Sequence, residues 1–144
     1  MTSRQAVERE VLARLLSVRD VGVLHRRLLG LRLLGVGNKQ FSGDNASAFR
    51  AIVALASVGE RVDVEAVAHQ AGGDADYLTW ITTAYRSATP LATLAAALLD
   101  VERRARVDSI GRTLINAVGD PAGDVDRAVA AAVGALRRLA RRAA

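Results

Sequence analysis

From Pro90 to Arg142 the apolar side chains return every three or four residues, with one interruption at Gly119-Asp120-Pro121. Leu91, Leu94, Leu98, Val101 and Ala105 form a first stripe, which Val107, Ile110, Leu114 and Val118 resume after a slip near Asp108. Beyond the break, Val125, Val129, Ala132, Leu136 and Leu139 keep the same rhythm. Residues so spaced share one face of an α-helix and cannot share one face of a strand. The spacing predicts two long helices, the first about 43 Å at 1.5 Å per residue and the second from Pro121 or Asp124 to Arg142, joined as an αα-hairpin with a heptad seam. Alanines at 95–97 and 130–132 permit close helix approach. A two-helix hairpin has little core of its own. Its stripe must be covered either by the preceding helices, in one long monomeric bundle, or by a second copy. Two hairpins pairing as a twofold four-helix bundle is the economical arrangement.

The rest of the chain also reads as helix. Val7, Val11, Leu12, Leu15 and Leu16 share a face of a helix over 5–16, and Val21, Leu24, Leu28, Leu31 and Leu34 of one over 21–34. The longest loop signal is Gly35 to Asp44, read as a flexible connector. A helix over 45–58 presents Phe49, Ile52, Val53 and Leu55. Asp63 is placed to cap a short helix ending at Gly72-Gly73, and Asp74 or Asp76 to cap a fifth carrying Tyr77, Leu78, Trp80 and Ile81. Thr89-Pro90 then marks a helix start. The expected architecture is one all-α domain over 1–144, with a globular head of about five helices (1–88) and a long C-terminal hairpin (90–142).

Composition narrows the chemistry. Hydrophobic residues are 51% of the 144 but aromatics only 3%, so the core must be aliphatic. There is no cysteine, and His25 and His69 are far apart, so neither a thiolate nor a histidine metal cage is expected. Gly35-Val36-Gly37-Asn38-Lys39 is not a phosphate-binding loop, because Lys39 follows asparagine and Gln40 stands where a magnesium-binding hydroxyl is required. No serine-histidine-carboxylate arrangement is recognisable, and Glu65 and His69 read as a one-turn surface pair. No cofactor is expected, and an enzyme is not expected. The charged N-terminus lacks a signal core, and no apolar run approaches the roughly 20 residues of a membrane span. A cytoplasmic location without membrane association is the expectation.

The net charge is +5, almost all from arginine. Eight basic and three acidic residues fall in 1–40, three and six in 44–86, nine and six in 87–144. Basic ends around an acidic middle suit docking to an acidic partner or nucleic acid. Arg103 and Arg104 on the first hairpin helix, with Arg137, Arg138 and Arg141 on the second, are the candidate nucleic-acid contacts. Against this, Phe41, Phe49, Tyr77, Trp80 and Tyr85 mostly occupy expected core positions, leaving no platform for base stacking.

The order of motifs resembles the N-terminal domain of DnaB-type replicative DNA helicases. Glu8 and Val11-Leu12 resemble that family's opening. Phe49, Leu55, Gly59, Val62, Asp63 and Val67 follow its Phe…Gly…apolar-Asp order, and Gly72-Gly73 before Tyr77-Leu78 its Gly-Gly…Tyr-Leu signature. Thr89-Pro90 and Val101-Glu102-Arg103 resemble the start and middle of its long helix. The chain departs from the family at Asn45 and Ser47, where histidine is usual, and in an extra residue between Gly73 and Tyr77. Thr89 to Glu102 is also slightly shorter, and no ATPase domain follows Arg142, so motor activity is not carried over. The resemblance implies an interaction and oligomerisation module, either an excised or free-standing domain or a relative that has lost the motor, whose hairpins pair, with helicase, primase or a loader as partner. Leu94, Leu98, Val101, Val129, Val133 and Leu136 are its candidate pairing positions. Two other readings are a basic DNA-binding or regulatory protein and the helicase-binding domain of a primase.

Overall fold

The computed structural model describes residues 3–143. Among these the chain is all-helical: α1 (Arg4–Leu16), α2 (Val21–Leu33), α3 (Gly43–Ser57), α4 (Val64–Ala71), α5 (Ala75–Ala84), α6 (Leu91–Gly119) and α7 (Val125–Ala143), with one 3-10 turn over Asn38–Gln40. Each of the predicted helices is present within a few residues of its expected limits. The starts follow from local hydrogen bonding. Asp20, Asp63 and Asp74 accept from the backbone N–H groups of Val23 (3.1 Å), Ala66 (2.8 Å) and Asp76 (2.8 Å). Asp124 accepts from Arg127 N–H at 3.0 Å. Each bond satisfies an N–H that the first helical turn leaves without a partner. Gly72 closes α4 in the left-handed region at φ 66°, which glycine enters without a Cβ clash.

The chain divides into two compact units, Met1–Leu99 and Asp100–Ala144. The division falls inside α6 and not at the Thr89-Pro90 start signal, because Leu94, Ala95 and Leu98 are buried with the first unit's core.

In the first unit α1 is the central helix. Val11, Leu12 and Leu15 have no exposed surface, and α1 packs on α3 and α5 while α3 packs on α2 and α4. The segment 35–44 is not the free connector expected from its glycines. Val36, Gln40 and Phe41 are buried, the Phe41 ring stacks on Phe49 with centroids 4.3 Å apart, and Gly37 N–H donates to Gln40 Oε1 at 2.6 Å. Apolar anchors at both ends of a glycine-bearing loop fix it despite its composition.

In the second unit Ile110 and Leu139 line one cleft, so the later part of α6 and α7 lie side by side. Ala132 is the one buried hydrophobic residue there among those described. No helix among the described residues is long and apolar enough to cross a membrane.

Candidate interaction surfaces

A helix that packs on a single neighbour can hide only part of a broad apolar face. At 3.6 residues per turn, Val125, Leu136, Val129 and Val133 fall within about 80° of arc on α7. All four are more than 40% exposed. Ala132, Ala128 and Leu139 occupy the adjoining arc and are buried or half-buried. One half of the α7 stripe is therefore covered and the other half faces water. Helix α6 repeats the pattern: Ile110 and Leu114 are half-buried, while Val107, Ile115 and Val118 are exposed, Ile115 by 72%. Isolated exposed aliphatics are ordinary, whereas a stripe of them along one helix face is not.

The predicted pairing positions separate into two groups. Val129, Val133 and Leu136 lie in the exposed arc. Leu94 and Leu98 do not: they are 4% and 1% exposed and belong to the first unit's core, which corrects their assignment to an intermolecular seam. The heptad spacing was continuous through them, but the neighbours that cover them come from the preceding helices. Val101 is half-buried.

The candidate nucleic-acid residues are likewise uneven. Arg104 is paired one turn back with Asp100 at 2.8 Å, as Arg106 is with Glu102 at 2.7 Å and Arg112 with Asp108 at 2.9 Å. These pairs draw the arginine heads of α6 along their own helix. Arg103, Arg137, Arg138 and Arg141 are exposed.

Two polar assemblies in the first unit escaped the sequence reading. Glu8 is fully buried. Its Oε1 accepts from Ser42 N–H, and both carboxylate oxygens accept from the Ser42 hydroxyl at 3.1 Å. Arg4 stands 3.9 Å away. A carboxylate buried on α1 thus fastens the residue that precedes α3. On the other side of α1, Arg9 donates to the hydroxyls of Tyr77 (3.3 Å) and Tyr85 (2.9 Å) and lies 5.1 Å from the Trp80 ring centroid. Bonds to Tyr77 first and Tyr85 second hold the guanidinium in its charged form and push its pKa above the ordinary value, against a smaller opposing effect of burial. Tyr77 passes the connection to Asn45, donating to Oδ1 at 2.7 Å. Trp80, expected in the core, is 46% exposed because it serves as a lid over Arg9. The Arg9 cation fills the aromatic cluster from within the chain, so both assemblies are internal fastenings.

His25 and His69 are both exposed. Among the described residues no group of three or more histidine, cysteine, aspartate or glutamate side chains is placed to hold a metal ion. No protein-family model matches the chain, and comparison with curated protein sequences finds no match.

Proposed function

We propose that the chain is a replication-associated interaction and oligomerisation module, similar in role to the N-terminal domain of DnaB-type helicases. In this reading the first five helices form a head, α6 and α7 form a hairpin, and hairpins from two copies pair to present a platform to helicase, primase or a loader. The observation that carries it is the half-covered apolar stripe on α7, with Val125, Val129, Val133 and Leu136 in water. Burial of such surface is worth about 25 cal/mol per Å², and a second copy offers a face of matching chemistry in twofold symmetry. The order of the Gly…Val-Asp and Gly-Gly…Tyr-Leu motifs supports the replication assignment.

Substituting Val129→Asp together with Leu136→Asp tests the pairing, since both side chains are exposed and the protomer should keep its helicity. Light scattering is expected to give about twice the 15.2 kDa chain mass for the unmodified protein and the single-chain mass for the double variant. An unchanged mass with retained helicity counts against the proposal.

A second reading, nucleic-acid binding by the second unit, draws on the exposed Arg103, Arg137, Arg138 and Arg141. Its signature is an affinity for labelled DNA that falls steeply with salt and is lost when Arg137 and Arg138 become glutamine.

A further inference from the structure

Apolar surface is also left open in the first unit, where helix α2 and helix α3 pack together. The groove between them has a volume of about 900 Å³ and a floor that includes Leu28, Val36 and Phe49. Leu29 and Val53 line the same groove and are 55% and 41% exposed. Arg26 and Arg32 stand on the α2 side and Arg50 on the α3 side, with His25 beside them. No aspartate or glutamate lines it among the described residues.

We infer that this groove docks an acidic amphipathic helix from a different protein. The apolar floor accepts side chains at positions i, i+3, i+4 and i+7 of an entering helix, the usual manner in which such a helix lies in a groove. The arginine borders would meet the carboxylates on that helix's flanks, and each guanidinium offers a planar fork of donors that matches a carboxylate. Nucleic acid fits poorly. It would set phosphates over Leu29 and Val53, and the groove's phenyl ring, Phe49, is buried and already stacked on Phe41. A second copy fits less well, because the flank of its exposed α7 stripe holds a single acid, Asp126, beside Arg137 and not a row of carboxylates to meet Arg26, Arg32 and Arg50. This inference does not rest on pairing through α7, since the groove is built entirely from residues of the first unit.

Fluorescence anisotropy with a labelled designed helix of about 18 residues tests it: leucines at i, i+3, i+4 and i+7, glutamates on the flanks, and a control in which lysine replaces every glutamate. The expected result is micromolar affinity for the acidic helix and at least about tenfold weaker binding of the lysine control. Val53→Asp should weaken the acidic helix by about tenfold or more. Arg26→Glu with Arg50→Glu should reverse the preference between the two peptides. Val129→Asp with Leu136→Asp should leave acidic-helix binding unchanged, which separates this site from the proposed self-association. Equal affinity for both peptides, no binding, or indifference to the groove variants overturns the inference. So does a drop in oligomeric mass caused by Val53→Asp, which would make a second copy the occupant.

Discussion

Replacing Glu8 by alanine removes the single acceptor on which Ser42 relies. Both the N–H and the hydroxyl of Ser42 converge on this carboxylate, which is sealed from water. A hydrogen bond to a charged group contributes about 1.5–3 kcal/mol net. Two such bonds removed together, from a half-buried Ser42, place the cost of Glu8→Ala at about 3–5 kcal/mol, near the range for breaking a buried charged network from one side. That is a large share of the about 5–15 kcal/mol that holds a typical domain. The assay is urea unfolding followed by emission of Trp80, the sole tryptophan, which lies in the first unit and packs edge-on against Tyr85 at 5.3 Å. With a slope of about 1.5 kcal/mol per molar urea, the midpoint should fall by about 2–3 M. Glu8→Gln keeps an oxygen for the Ser42 N–H but loses the charge, and should cost about 1–2 kcal/mol. A Glu8→Ala cost below about 1 kcal/mol would refute the reasoning, showing that the segment before α3 holds its place without the carboxylate.

Two glycines should respond to alanine in opposite directions, although a Cβ has open space at both. Gly72→Ala forces a side chain into φ 66° and should cost about 1 kcal/mol, whereas Gly30→Ala inside α2 should stabilise by about 0.5–1 kcal/mol; equal signs in thermal melts would contradict this. Arg9→Lys should lose nearly as much stability as Arg9→Ala, about 1–2 kcal/mol, because an ammonium cannot bridge two phenols while lying flat on Trp80. Wild-type stability in the lysine variant, measured by the same Trp80 emission, would show that the fork geometry is not required.

What could be read from the chain was local. Asp63, and Asp74 as one of two candidates beside Asp76, act through bonds to N–H groups two or three residues ahead, so capping chemistry exposes them in the sequence. The long stripe on α7 was legible for the same reason, since helical period is a property of spacing alone. The fastenings were not. Glu8 meets Ser42 across 34 positions, and Arg9 meets Tyr77 and Tyr85 across 68 and 76. No short-range pattern marks a partner so far away, and Glu8 on a helix looks like any solvated acid. Leu94 and Leu98 show a different limit. Periodicity tells which side chains share a face but not what covers that face, and here the cover is the first unit. The α2–α3 groove was hidden in the same way, because Val53 reads as one more apolar position of its helix until the helices beside it are placed.

The sharing of α6 between two units has a consequence for how such a chain could be taken apart or joined to others. Loops are the customary seams at which modules are exchanged, and the stretch before Pro90 looks like one. A piece severed there would leave a hole where Leu94, Ala95 and Leu98 belong, lined by aliphatic side chains with nothing to fill it. The true seam lies in mid-helix, past Leu99. A cassette trimmed at that point carries its lining intact, and whatever is spliced on afterwards begins already helical.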